Sequence, residues 1–351
     1  MRRILPAIGL FFLSPLIAEY LLGDLPVTAL FALVVLAPMY GGASLLIREV
    51  CRRLGWGWPS MLTLALAYSV LEEAIVTQSL FDHDYGGMHL HLLDRGYVPA
   101  LGIGLPYTLF VLALHVVWSL SVPIVLTESI VRERHDTPWL GRIGVAVTAI
   151  VCAVGVALNV LGSRKPGGFA ASPAQLVVSA LVVVALAGAA VLLGRRTERA
   201  RSAGVVARTA GGLVPPPLLL GLGSLVLASA FVTGWYHGRP AIQPWVFAAV
   251  VLVAYVATVV LVATWSRRPG WTPMHQLALA GGALLTYAWH GFETRPFVPT
   301  PPSVQLASHV VMGVFAVAVL TVAVLRLRAG EPRRTRPTES APAAPAAHPA
   351  G

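Results

Sequence analysis

Apolar residues dominate the chain in ten long runs, at about residues 4–22, 25–46, 58–80, 101–127, 140–162, 174–194, 213–234, 244–265, 274–291 and 304–326. Short segments rich in arginine, proline or glycine separate them. Most runs are about 20 residues long, which is what a helix needs to cross a hydrocarbon core of about 30 Å. They are too long, and alternate too little, for barrel strands. The pattern therefore predicts an all-α, polytopic transmembrane helix bundle of about ten spans. An even number of crossings places both termini on one side.

Composition agrees and adds an orientation. Hydrophobic residues make up 56% of the 351 positions and charged residues 11%, with mean hydropathy +0.75, which excludes a soluble globule, a disordered chain and a disulfide scaffold. The net charge is +10, and twenty of the 25 Lys and Arg residues fall on the side that carries the N-terminus. The positive-inside rule then makes both termini cytoplasmic. The arginines are spread over six such segments, so no single basic face for a nucleic acid arises, and anionic lipid at the cytoplasmic face is the expected partner. One lysine, Lys165, among the 25 suggests a GC-rich bacterial genome and hence a bacterial plasma membrane. Tyr20, Tyr40, Trp56, Trp58, Trp139, Trp235, Tyr236, Trp265 and Trp271 fall near span ends, as an aromatic belt would.

Residues 1–24 have a basic start and an apolar stretch but no small-x-small cleavage signal, and Glu19 follows, so the segment reads as a retained helix. Cys51 falls in a loop and Cys152 within a span, too far apart to pair. The organisation predicted is a first membrane half, 1–162, carrying the buried polar residues, a second, apolar half, 174–328, and a disordered cytoplasmic tail, 329–351. Small residues around Gly188, Gly221, Gly223, Gly281 and Gly282 suit close helix packing and make the second half scaffold-like.

The first half contains Glu19, Glu72, Glu73, His115 and Asn159 at depth. An ionisable group in a transmembrane helix costs roughly 2.5–3.5 kcal/mol on insertion scales, so the adjacent pair Glu72 and Glu73 requires a reason. Tyr68, Ser69, Thr77 and Ser79 extend the same arc of that helix. The pair is placed about eight residues from the outer end, where like charges out of water are expected to leave one carboxyl protonated. Thr108, His115 and Ser119 form a stripe on the following span, loosened below by Pro123. His115 near mid-membrane can relay a proton, bind a metal or satisfy a buried hydrogen bond.

The connection after the third run holds Asp82, His83, Asp84, His89 and His91, metal-ligand types without a recognised zinc spacing. His89 and His91 could ligate together only from an extended backbone. His237, His290 and His309 also fall toward the outer surface. The chain has no Walker A, Gly-x-Gly-x-x-Gly, His-Glu-x-x-His, Gly-x-Ser-x-Gly or Cys-x-x-Cys motif, and no cofactor is expected.

Three stretches carry a resemblance. Glu72-Glu73-Ala74-Ile75-Val76-Thr77 resembles Glu-Glu-x-x-x-Arg, with Thr77 in place of arginine. Phe110-Val111-Leu112-Ala113-Leu114-His115 resembles Phe-x-x-x-His, with one residue more. Gly155-Val156-Ala157-Leu158-Asn159 resembles His-x-x-x-Asn, with glycine first. These are motifs of the CPBP intramembrane proteases, which include the CAAX prenyl endopeptidases and relatives linked to bacteriocin processing and immunity. The resemblance covers about 90 residues. It implies that Glu72 and His115 activate water, that Glu73 supports them and that Asn159 stabilises an oxyanion.

Three functions stay open on the sequence. An intramembrane peptidase would act on a peptide substrate. A proton-coupled transporter or permease would use the same residues as a relay for a small solute. A non-enzymatic membrane partner or immunity-type protein would use them for packing.

Overall fold

A computed structural model describes residues 4–163, 168–202, 212–238 and 241–329. Ten helical segments fall on the ten apolar runs: α1 (Leu5–Leu21), α2 (Val27–Arg53), α3 (Trp58–Val76), α4 (Leu105–Ile130), α5 (Arg142–Ser163), α6 (Pro173–Ser202), α7 (Pro217–Tyr236), α8 (Pro244–Trp265), α9 (Pro273–His290) and α10 (Pro302–Ala329). Eight are long and apolar enough to cross a membrane, the exceptions being α1, which is shorter, and α9. The extended structure among the described residues is one antiparallel pair, Tyr97–Val98 with Ile103–Gly104. The predicted tail lies outside the described residues, apart from Ala329.

Prolines set the helix starts. Eight of these segments, α1, α3, α4 and α6 to α10, begin at proline or with proline second, where the missing N–H removes a donor that has no helical partner anyway. Prolines inside helices do something different. Pro15 leaves the Phe11 carbonyl without its helical donor, and Gly41 packs so closely on that oxygen that a Cβ there would lie 1.8 Å away. Pro123 likewise frees the Ser119 carbonyl, which accepts hydrogen bonds from the Ser14 and Ser44 hydroxyls. These exchanges bind α1, α2 and α4 together through backbone groups that a regular helix would keep to itself.

The largest apolar core crosses the division into halves. Leu13, Ile17, Trp118 and Leu126 pack with Leu277, Leu284, Tyr287 and Met312. Trp118 stacks on Tyr287 at 4.5 Å and 4°, and its indole N–H donates to the Ala283 carbonyl at 2.7 Å. Small residues allow α7 and α9 to touch by their backbones: a Cβ on Gly282 would sit 2.4 Å from the Gly221 carbonyl oxygen. Gly188 and Gly223 do not share this role, since nothing lies within 4 Å of where their Cβ atoms would be.

Two expectations need correction. Of the supposed aromatic belt, Tyr20, Tyr40, Trp56, Trp139 and Trp235 are buried. They sit near span ends in sequence but fill helix junctions in space. Arg48, counted as a cytoplasmic charge facing lipid, is fully buried. Its guanidinium meets Glu49 at 2.7 Å and Glu128 at 3.0 Å, donates to the His135 and Thr137 carbonyls at 2.9 Å each, and lies 3.4 Å over the Trp139 ring. Glu49 accepts from the Trp139 and Leu140 amides in return, at 2.8 and 3.1 Å. This network fastens the loop after α4 to the end of α2 and leaves Arg48 no donor for a lipid headgroup.

Candidate functional site

Four helices lose their regular winding at one place. Leu16–Leu21, Ala37–Gly41, Leu71–Val76 and His115–Ser121 are π-helical, and they carry Glu19, Tyr40, the Glu72–Glu73 pair and His115 respectively. A π turn widens the helix by one residue and re-aims its side chains, at a cost that recurs mostly at functional sites. Here the widened turns bring five polar side chains from four helices to a common point.

Glu73 holds the imidazole. Its Oε1 lies 2.6 Å from His115 Nε2, while Oε2 accepts from the Ser79 hydroxyl and lies 3.4 Å from Thr77 Oγ1. Glu72 approaches the other ring nitrogen: Oε2 is 3.4 Å from Nδ1 and makes no hydrogen bond. Ser119 Oγ also lies 3.4 Å from Nδ1. Glu72 is 1% exposed, and Glu73 and His115 are each 6% exposed. A neutral imidazole has one N–H for these two carboxyls, so either the ring carries both protons or one carboxyl donates.

Two further residues complete the cluster. Tyr40 stacks on His115 with centroids 5.8 Å apart and planes 14° apart, and its hydroxyl donates to Glu19 Oε1 at 2.7 Å. Glu19 was legible as a buried acid, but Tyr40 read as a belt residue. The signal for it lies in the two residues that follow. Gly41 packs on the Phe11 carbonyl and Gly42 on Cys152, where a Cβ would be 2.8 Å from the cysteine Cβ, so this stretch of α2 was bound to be buried among helices.

α3 ends earlier than its apolar run suggests. Thr77 caps the last turn, its amide and hydroxyl both donating to the Glu72 carbonyl at 2.9 and 3.1 Å. Gln78 then turns into the left-handed region at φ 59°, held by its side-chain carbonyl accepting from the Ala171 amide at 2.8 Å. Glu72 is therefore only four residues from the helix end, roughly 6 Å, rather than eight. Beyond it, Tyr85 faces the same carboxyls. Burial, then the charges of Glu73, Glu19 and Glu72, push its phenol above the ordinary value.

Asn159 stays on its own helix: its amide donates to the Gly155 carbonyl at 2.9 Å. Gly155 has no room for a side chain, since a Cβ would lie 2.5 Å from Pro38 Cβ and 2.8 Å from the Met39 amide nitrogen. The glycine that replaces histidine in the resembling motif is thus fixed by the close crossing of α5 and α2.

The loop candidates for a metal fall into two exposed groups, one on Asp94 and one on Asp84. His83 Nδ1 lies 3.7 Å from Asp94 Oδ1, His89 Nδ1 3.1 Å from Asp84 Oδ1, and His91 Nδ1 2.8 Å from Asp94 Oδ2, while the Asp82 carboxylate accepts from the Asp84 amide. His89 and His91 are left-handed, at φ 52° and 49°, not extended, so they turn to different aspartates. Among the described residues, the group whose ligand atoms fall within 4.8 Å of one another is Glu72, Glu73 and His115, a set that could hold a cation.

A lateral cavity of about 440 Å³ lies between α2, α3 and α5, and none of the five cluster residues lines it. Leu46, Ile47, Cys152 and Val156 line it, together with Tyr68 and Leu71, the neighbours of Glu72 on α3. Ala149, Ala153 and Ala157 on its α5 wall are exposed, so it opens on the flank that lipid would cover.

No curated protein and no solved structure matches the chain. A family model covering residues 9–336 does, and by that match the chain belongs to an uncharacterized membrane protein family.

Proposed function

We propose that the chain is an intramembrane hydrolase in which Glu72 and His115 handle the proton of an attacking water. The observation that carries this reading is the asymmetric hold on the imidazole. Glu73 anchors Nε2 at 2.6 Å, while Nδ1 faces a carboxylate oxygen of Glu72 that has no other partner, at 3.4 Å. An imidazole fixed at one nitrogen and presented at the other to a carboxylate oxygen that makes no hydrogen bond is an acid–base pair whose orientation is set in advance. The resemblance to CPBP proteases assigns the same residues to the same work. In that reading a substrate, a membrane-borne peptide or other amphiphile, arrives through the lateral cavity beside Tyr68 and Leu71, and the low-dielectric surroundings strengthen each charge contact.

The oxyanion donor differs from the one the resemblance implies. Asn159 is engaged with its own backbone and position 155 holds no side chain. The Tyr40 hydroxyl, beside the cluster, is the donor this reading assigns instead, and to serve it must turn from the Glu19 carboxyl to which it now donates. The reading also keeps both termini cytoplasmic in a bacterial plasma membrane, with the unburied arginines toward anionic lipid.

A second reading draws on the carboxyl count. Glu19, Glu72 and Glu73 surround a single imidazole, more acid than one histidine neutralises, which suits a carrier of protons. Proton flux in liposomes distinguishes it. The test of the hydrolase reading is Glu72→Gln: membranes of cells producing this variant accumulate a species that wild-type membranes cleave. Identical membrane profiles, with the variant folded, would refute it.

A further inference from the structure

We propose that His237, His290 and Glu293 form a second, independent site, for a transition-metal ion of the zinc class, at the adjoining ends of α7 and α9. His290 motivates it. The residue is 1% exposed, yet neither ring nitrogen has a hydrogen-bond partner. Buried imidazoles are almost always bonded through at least one nitrogen, and a bare one points to a missing ligand.

The surroundings supply the rest of a donor set. Glu293 follows His290 by three residues across the short turn Gly291–Glu293, which puts both on one face. Its Oε2 lies 3.8 Å from His290 Nδ1 and 2.8 Å from His237 Nε2. Zinc bonds of about 2.0–2.1 Å in tetrahedral geometry separate adjacent donors by roughly 3.4 Å, so the two separations bracket the required value. The third edge is open in this structure, His237 Nε2 and His290 Nδ1 lying more than 4.8 Å apart, and an ion would draw in His237, at the exposed end of α7, by a change of rotamer.

Two imidazoles and a carboxylate are a donor set that favours zinc over the hard cations, which take oxygen ligands. Three protein ligands also leave a fourth position for water. The framework is already rigid. Trp289 donates to Ser229 Oγ at 2.9 Å and Ser224 to the Leu279 carbonyl at 2.7 Å, locking α7 to α9. The turn after His290 is wedged against the end of α1, where a Cβ on Gly291 would lie 2.6 Å from the Leu21 carbonyl oxygen. The Tyr236 ring, 4.5 Å from that of His290, walls one side. An ion here would clip the two helix ends together.

The test uses the full chain purified in detergent through an affinity tag free of histidine, stripped with EDTA and titrated calorimetrically with zinc chloride. About one zinc per chain is expected. His237→Ala and Glu293→Gln should each weaken binding by at least the 10–100-fold seen for disturbed metal shells. Both side chains are about half exposed, so the fold should survive, as an unchanged elution profile verifies. His290→Ala should abolish binding. Glu72→Gln and His115→Ala should bind as wild type does. No zinc uptake by the wild type, or wild-type affinity in the His237 and Glu293 variants, overturns the proposal. Loss of zinc in Glu72→Gln with retention in His237→Ala overturns it too, by placing the ion in the buried cluster.

Discussion

Glu73 and His115 are joined by a 2.6 Å contact between two helices, inside a cluster whose other imidazole contact, to Glu72, is 3.4 Å and otherwise unsatisfied. The adjacent glutamates thus have different work. One is committed on both oxygens and positions the ring, while the other has an oxygen free to act on a substrate.

That division predicts unequal effects of the same substitution. Glu73→Gln disturbs bonds to His115, Ser79 and Thr77 and should cost about 1.5–3 kcal/mol, since hydrogen bonds to charged groups are being replaced. Glu72→Gln, an isosteric change at an oxygen without a hydrogen bond, should cost less than about 1.5 kcal/mol. Thermal unfolding of the two variants in the same detergent measures the difference. Equal losses would contradict the assignment of roles.

Gly155→His restores the histidine of the resembling motif on paper. In the structure its Cβ would strike Pro38 and the Met39 amide, both near the backbone of α2. The variant should lose about 1–3 kcal/mol or more through overpacking and gain no activity. Unimpaired stability would show that the α5–α2 crossing yields more readily than this geometry allows.

Asn159→Ala should be nearly silent. Among the described residues its amide serves the Gly155 carbonyl four residues back, an intrahelical bond that a half-buried site can replace. Turnover and thermal midpoint close to wild type are expected. Lost turnover with an intact fold would return Asn159 to the oxyanion role.

Arg48 offers a test of the scaffold apart from the chemistry. Removing it by Arg48→Ala takes from Glu49 its nearest cation, leaving Arg53 at 3.5 Å and the two amides, and takes half of the Glu128 pairing, and breaking a buried pair in this way costs about 3–5 kcal/mol. Arg48→Ala should expose the loop around Trp139 to protease, visible as a new cleavage in limited digestion. Glu133→Gln, on the neighbouring half-buried turn, serves as the matched control with little effect.

The helical architecture was legible because membrane length and hydropathy leave few alternatives to a helix. Glu72, Glu73 and His115 were legible because charge at that depth is costly and therefore marked. The rest depended on approach in space. Tyr40 has the composition of a belt residue, and only the glycines after it betray a buried helix crossing. Arg48 obeys the positive-inside count yet spends its charge within the protein. His89 and His91 turn to different aspartates because both adopt left-handed backbones, a conformation that nothing in His-Leu-His announces. The π turns that assemble the cluster likewise have prolines nearby in three cases, at Pro15, Pro38 and Pro123, but none explains the turn under Glu72 and Glu73.

The measurement that bears most directly on the hydrolase reading is isotopic. Membranes containing the wild-type chain or folded Glu72→Gln are incubated in water enriched in heavy oxygen, and the released products are compared by mass spectrometry. The account predicts a product carrying one heavy oxygen in the wild type and its absence in the variant. The same labelled products from both, or from neither, would contradict a hydrolytic role for Glu72 and His115.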